Sequence, residues 1–324
     1  MTEEILTRLL GGEPVSGQTL SEELGVTRAA VWKQIGQLRE AGFDIEACGG
    51  QGYRLASVPD SLMAPVIARG LKTRWAGRRI VYLRSVDSTN RYARALAADG
   101  AAQGTLVVAD EQTAGRGRRG RGWVSPAGEG IFMTLILRPQ AHPSHVAQLS
   151  LQTAMAVARA ISRVCEIDAR IKWPNDIVCG GKKVCGILTE AAVGLETGTL
   201  NYMVLGAGVN LYPPAEGFPE EIQSIAGSVL EHNCPEAKNR LVGEFLNRFW
   251  DFYSRPECRA YLEDYRARSL AIGRNVTVLS AGKAVSAYAY GIDDDFRLLV
   301  RYENGDTEAL SYGEIRIQLA ESAP

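Results

Sequence analysis

Apolar positions in the first sixty residues recur at helical spacing in three short runs. Ile5, Leu6, Leu9 and Leu10 form the first stripe. Leu20 and Leu24 form the second, with Glu23 placed to close a cap at Thr19 or Leu20 and Gly25 to break the helix. The third opens at Thr27, whose hydroxyl suits an N-cap, and buries Val31, Ile35 and Leu38 before a stop at Gly42. "FDIEACGGQGYRLA" then alternates about a glycine turn, which predicts a hairpin. Helix, tight glycine turn, helix and hairpin make the winged helix-turn-helix pattern, over 1–60. Arg28, Lys33, Gln34 and Gln37 lie off the third stripe and, with Thr27, are the candidate DNA contacts. A small helical bundle for protein contact fits the same pattern. Acid (Glu3, Glu4, Glu13, Glu22, Glu23, Glu40, Asp44, Glu46) outnumbers base (Arg8, Arg28, Lys33, Arg39, Arg54) here, which weakens phosphate neutralisation as a source of affinity.

"SVPDSLMAP" reads as a linker. A mixed block follows over 65–268. Its strand candidates are "RIVYL", "TLVVAD", "GIFMTLIL", "ARIKW", "DIVC", "KKVCGILTE" and "YMVLGAGVNL". Helix candidates are Ser88–Ala98, His145–Val164 and two segments within Asn239–Ala267. Strands and helices do not alternate evenly, so the pattern predicts an α+β fold around a mixed sheet. Over 271–320, "VTVL", "VSAYAYG", "LLVRY" and "TEALSY", with turns at "SAGK" and "ENGD", predict a small SH3-like β-barrel.

Composition narrows the function. A net charge of -1 over 324 residues provides no global field for nucleic acid or membrane, so any anion binding is local. Six cysteines without a C-x-x-C pair, and three histidines away from them, argue against zinc or a disulfide framework. No signal-peptide pattern and no apolar run of about 20 residues occur, which predicts a reduced, cytoplasmic protein with no membrane partner.

Against that neutral background, "AGRGRRGRGW" places four arginines and four glycines in ten residues. An RGG-like nucleic-acid tail is one reading. Strand-like runs on both sides favour a loop inside a folded domain. Gly115, Gly117, Gly120 and Gly122 free the backbone to approach a ligand, while Arg116, Arg118, Arg119 and Arg121 suit phosphate or carboxylate. Like charges predict a loop that stays mobile until an anion arrives. In "IKWPNDIVCGGKKVCGILTE", a two-residue Gly180-Gly181 turn pairs 179 with 182, 178 with 183 and 176 with 185. Asp176 and Lys183 then share a face on diagonal positions, with Lys172 and Asn175 upstream, a set suited to phosphate and Mg²⁺. An ordinary charged surface hairpin is the alternative. In "VDSTNRYARALA", Ser88 or Asp87 caps a helix whose first N–H groups suit a polar ligand head. Gly206 and Gly208 inside "LGAGVNL" mark a close approach of ligand or backbone.

Taken together, Asp87–Asn90, Glu111–Trp123, Lys172–Asp176, Lys183–Glu190 and Gly206–Asn210 resemble, in order, the motifs of the biotin–protein ligases. The leading winged helix resembles the bifunctional type, which also serves as biotin operon repressor. The resemblance spans essentially the whole chain. It implies that biotin's carboxylate attacks the α-phosphorus of ATP, with Mg²⁺, to give biotinyl-5′-adenylate. A lysine on a biotin carboxyl carrier domain of acetyl-CoA carboxylase then takes the biotinyl group. It assigns biotin binding to Ser88, Thr89, Asn90, Gln112, Gly115, Arg116, Gly117, Arg118, Lys183 and Gly186. ATP and adenylate binding falls to Arg118, Arg119, Arg121, Trp123, Asn175, Lys183 and Asn210. The catalytic residues it implies are Arg118, Lys183 and Asp176, the last a candidate base and Mg²⁺ contact, with no fixed metal site. It further implies a homodimer when adenylate is bound, and operator DNA as a partner. A winged-helix regulator that senses biotin without ligating it, a lipoate ligase and an RNA-binding protein remain as alternatives.

Overall fold

In the computed structural model, residues 1–139, 146–194, 199–255, 260–280, 283–311 and 314–317 are described. Three helices, α1 (Thr2–Leu9), α2 (Gly17–Leu24) and α3 (Arg28–Glu40), bury the expected stripes around Ile5, Leu6, Leu9, Leu20, Val31, Ile35 and Leu38. Thr27 caps α3, its hydroxyl accepting from the Ala30 N–H at 3.2 Å. The cap of α2 differs from expectation. It is Ser16, which accepts from Thr19 N at 2.9 Å, so this helix starts a turn earlier. Gln34 differs too. It is buried, and the Thr2 hydroxyl donates to its Oε1, so it ties α1 to α3 instead of facing out. β1 (Asp44–Cys48) and β2 (Gly52–Ser57) form the antiparallel wing.

The stretch read as a linker is strapped down. Val58 and Leu62 are buried, and a short helix α4 (Ala64–Arg69) follows. The Asp60 carboxylate accepts from the Tyr212 hydroxyl and from Lys238 N. Asn239 accepts from Met63 N and donates to Ser61 O. Burial and Asp60 push the Tyr212 hydroxyl pKa up, so it remains a donor. Asp60→Ala is expected to lower unfolding stability by about 1–3 kcal/mol, since two donors lose a shared acceptor. A urea unfolding curve unchanged in midpoint would refute this.

The central sheet has seven strands in the order β3-β4-β5-β9-β8-β7-β6: β3 (Arg79–Leu83), β4 (Thr105–Ala109), β5 (Gly130–Leu137), β6 (Arg170–Lys172), β7 (Asp176–Cys179), β8 (Lys182–Val193) and β9 (Leu200–Asn210). Only β3 and β4 are parallel among the named pairs, so the sheet is mixed as expected. One face packs on α6 (Val146–Cys165) and α7 (Ala237–Tyr253), forming the large core. His145, the expected start of α6, lies outside the described residues, as does Cys258. The other face carries the short, alanine-rich α5 (Thr89–Ala98), which packs over β4, β5 and β9 through Ala93, Ala97, Val107, Ile136 and Val204.

After α8 (Ala260–Arg268), five antiparallel strands complete the α+β chain. They are β10 (Arg274–Ser280), β11 (Lys283–Ile292), β12 (Leu298–Tyr302), β13 (Thr307–Leu310) and β14 (Glu314–Ile317), ordered β13-β12-β11-β10-β14. The "ENGD" turn joins β12 to β13. The middle of the "SAGK" turn lies outside the described residues. This sheet supports the K-W-P-N-D segment. Trp173 is buried and donates its indole N–H to Phe296 O at 3.2 Å. Tyr265 donates to Pro174 O at 3.0 Å, and Phe296 stacks on Tyr261 at 5.5 Å.

Candidate active site

The β7–β8 hairpin turns through Gly180 (φ 55°) and Gly181 (φ 80°), both left-handed, as a primed two-residue turn demands. Cys179 pairs with Lys182 and Val178 with Lys183, as expected. The register then slips, and Asp176 faces Gly186 instead of residue 185. A bulge adds local twist. Lys183 Nζ reaches Asp176 Oδ1 at 2.9 Å, with both side chains partly exposed. Cys185 is fully buried, and burial pushes its thiol pKa up, so it is no nucleophile.

Register also builds a floor. Gly186 faces Gly208, Leu188 faces Gly206, and Thr134 of β5 faces Gly206 from the other side. These positions lie on the face that carries α5. A Cβ on Gly206 would stand 2.0 Å from Asn90 Oδ1, and one on Gly208 2.5 Å from Trp123 Nε1. A Cβ on Gly186 would meet Trp123 at 3.0 Å. The close approach expected at Gly206 and Gly208 is therefore made by the protein's own Asn90 and Trp123.

One end of this floor is polar. Ser88, Thr89 and Asn90 at the start of α5 are all buried. Ser88 is the N-cap residue of α5, as expected, but its side chain makes no cap bond. Asp87 instead accepts from Ser88 N and pairs with Arg91. The capping acceptor comes from another element. Gln112 Oε1 accepts from Thr89 N at 2.9 Å, and its Nε2 donates to Ser125 Oγ at 2.9 Å. Thr134 Oγ1 lies 2.9 Å from Thr89 Oγ1 and 2.8 Å from Asn90 Oδ1.

The arginine loop lies above. It is a small hairpin, with Gly117 N donating to Arg121 O at 2.7 Å and Trp123 N to Gly115 O at 2.9 Å. Arg118 donates to Asn175 Oδ1 at 2.8 Å, while the buried Asn175 donates to Ile187 O. Arg116 stands 3.8 Å from Glu190, which also holds Asn90 at 2.9 Å and Arg94 at 3.2 Å. The Trp123 indole N–H is buried without an acceptor, and Lys183 Nζ sits 5.4 Å from its ring. Arg119 and Arg121 are exposed on the loop. Asn210 donates to Gly227 O, and the neighbouring residues 225–227 bond the Lys183 backbone, so it stands at the Lys183 end.

Thus a glycine floor, overlain by Trp123 and Asn90, lies between a polar end (Ser88, Thr89, Asn90, Gln112) and a cationic end (Arg118, Lys183, with Asn175 and Asp176). Glu190, Thr134 and Ser125 escaped sequence reasoning. Glu190 shares the parity of Gly186 and Leu188 on β8, and Thr134 is the lone polar residue in "GIFMTLIL", so both had a readable signal. Ser125 had none.

Three family models match this chain. They are an HTH domain over residues 2–54, the biotin/lipoate A/B protein ligase family over 82–210, and the biotin protein ligase C terminal domain over 271–317. The chain is 38% identical over 302 residues to the bifunctional ligase/repressor BirA of Bacillus subtilis, covering 91% of each. It belongs to the biotin protein ligase family. BirA of Escherichia coli is a further member, 30% identical over 325 residues, covering 98% of this chain and 97% of that one. Among solved structures, a biotin protein ligase from Aquifex aeolicus in complex with biotin and ATP superposes with a TM-score of 0.63. It is 25% identical and covers 75% of this chain and all of that one. The helix-turn-helix, ligase and C-terminal matches follow one another along this chain.

Proposed function

We propose that the protein is an ATP-dependent biotin–protein ligase that also acts as a biotin-responsive repressor. The observation that carries the ligase reading is the glycine floor, polar at one end and cationic at the other, beneath a folded arginine loop. Biotin's fused rings suit the floor once Trp123 shifts with its loop, and Ser88, Thr89, Asn90 and Gln112 suit its ureido group. Its carboxylate then points to Lys183 and attacks the α-phosphorus of ATP, releasing pyrophosphate. Charge gathers on the phosphoryl oxygens, where fixed cations stabilise it most. Lys183, Arg116 and Arg118 supply them, and the buried Trp123 N–H has a donor to offer. Gly115, Gly117 and Gly186 keep side chains out of the way. Arg119, Arg121, Asn175 and Asn210 are proposed for the adenylate. Among the described residues no three His, Cys, Asp or Glu side chains converge. Mg²⁺ would arrive with ATP, with Asp176 as its protein contact and charge neutralisation as its contribution. In the second step a neutral lysine amine of a biotin carboxyl carrier domain attacks the anhydride carbonyl and AMP leaves, with Asp176 the proposed proton acceptor.

No described helix is long and apolar enough to cross a membrane. We place the protein in the cytoplasm. Bound adenylate would share the cost of fixing the loop with a second protomer, which favours a liganded homodimer that presents two winged helices to operator DNA. Equal dimerisation constants with and without adenylate would refute that coupling.

The test is pyrophosphate release with biotin, ATP and Mg²⁺, followed by addition of a carrier domain. Label on the carrier supports the ligase. Lipoate in place of biotin, or nucleic-acid binding without ATP, would point elsewhere, and no pyrophosphate would leave only the sensing reading. Arg118→Gly removes a charge-assisted bond to Asn175 and is expected to release adenylate about ten- to a hundredfold faster, labelling bystander lysines. Unchanged retention would remove Arg118 from the closing role.

A further inference from the structure

Two residues of α3 do not suit the isolated protein. Trp32 is 69% exposed, the most exposed of the large apolar side chains among the described residues. Gly36, one turn later, stands mid-helix, and a Cβ built on it would meet nothing within 4 Å. Its φ is not positive, so neither packing nor backbone conformation demands glycine there. A mid-helix glycine weakens a helix relative to alanine, and a tryptophan in water leaves a large apolar face unused. The two positions are adjacent on the helix surface at i, i+4 spacing. The buried stripe of Val31, Gln34, Ile35 and Leu38 turns them outward together with Arg28, Ala29 and Lys33.

We propose that Trp32 and the bare backbone at Gly36 are the base-reading surface of α3. Resting on the DNA-binding reading above, the proposal names what that helix reads. Trp32 lies against the 5-methyl group of a thymine in the major groove, and Gly36 lets the helix axis approach the groove floor. Ala29, also small, widens the same strip. Arg28 and Lys33 flank it and reach phosphates. Those two cations favour duplex DNA over a second apolar protein surface as the occupant. Thymine offers the only methyl in the groove, so an aromatic face placed there discriminates by apolar contact.

The experiment uses the full chain with biotin, ATP and Mg²⁺. A bound sequence is selected from a random duplex library, and affinities are read by fluorescence anisotropy. Trp32→Ala is expected to weaken binding about tenfold or more, with the salt slope unchanged. Replacing the contacted thymine by deoxyuridine should weaken wild type similarly and the variant hardly at all. Trp32→Phe should retain part of the affinity. Gly36→Gln should raise the thermal midpoint yet weaken DNA binding. All three variants should biotinylate the carrier at the wild-type rate. Equal affinity of Trp32→Ala and wild type for the selected site would overturn the proposal while leaving DNA binding intact. So would a Trp32→Ala defect confined to dimerisation, which would assign the face to a protein. If wild type selects no sequence, the DNA-binding reading fails first, and this inference fails with it.

Discussion

Lys183→Met is expected to slow biotin-dependent pyrophosphate release by about a hundred- to a thousandfold, the range for loss of one fixed electrostatic donor. Methionine retains much of the stem that packs near Trp123 and removes only the charge. In the free protein the ammonium sits 2.9 Å from Asp176 with about a third of its side chain exposed. A pair that open to water contributes at most about 1 kcal/mol. Asp176 therefore orients Lys183 without trapping it, and the cation is readily traded to a phosphate. Once substrates exclude water, the same charge acts in a lower dielectric and its worth rises. Single-turnover pyrophosphate release beside calorimetric biotin titration separates the two roles. The rate should fall far more than the affinity. A rate within tenfold of wild type would remove Lys183 from the chemistry, and an affinity loss alone would make it a biotin anchor.

The architecture was legible because its signals are local. Period-3.6 stripes gave the three N-terminal helices, and β-branched runs gave the seven central strands. Some departures were local, the Ser16 cap of α2 and the β7–β8 bulge, and others came from partners distant in sequence. Gln34, read as outward because it is polar, sits on the buried stripe three residues after Val31 and four before Leu38, where Thr2 meets its polar end. Ser88 holds the cap position, yet Gln112 supplies the acceptor for Thr89 N from 23 residues beyond Thr89. The Gly180-Gly181 turn set two pairs correctly, but a bulge, which costs no turn signal, moved Asp176 from residue 185 to Gly186. That slip puts Asp176 opposite a bare position instead of the buried Cys185. The "SVPDSLMAP" stretch has linker composition, but Asp60 and Ser61 find partners on Tyr212, Lys238 and Asn239, which no local window contains.

The site was legible as residue types and illegible as contacts. Arginines, Lys183 and the strand glycines could be named, but what the glycines made room for could not. The folded loop shows that the cations are already engaged, with Arg118 on Asn175 and Arg116 near Glu190. The expected self-repulsion is therefore partly met by internal acceptors.

Gly206→Ala tests that glycine floor most severely. Its methyl would stand 2.0 Å from Asn90 Oδ1 and 2.8 Å from Asn90 Cγ, far inside contact distance. Asn90 has little freedom to retreat. It is 4% exposed, donates to Leu188 O and Glu190, and lies 2.8 Å from Thr134 Oγ1. Displacing it breaks more than one buried bond, each worth about 1–3 kcal/mol when a partner is left unsatisfied. The expected result is a stability loss of about 2–4 kcal/mol and a fall in adenylate formation of about a hundredfold or more. Gly208→Ala should cost less, because the Trp123 ring it meets belongs to the loop and can shift with it. Loss of activity through misfolding is separated by the pair Gly206→Ala with Asn90→Ala. That pair removes the clash and should regain much of the stability, while biotin binding stays weak because the amide is gone. Should Gly206→Ala alone match wild type in unfolding midpoint and rate, the floor has room the structure does not show. Should the double variant recover full activity, Asn90 is packing and the polar end of the site rests on Ser88, Thr89 and Gln112 alone.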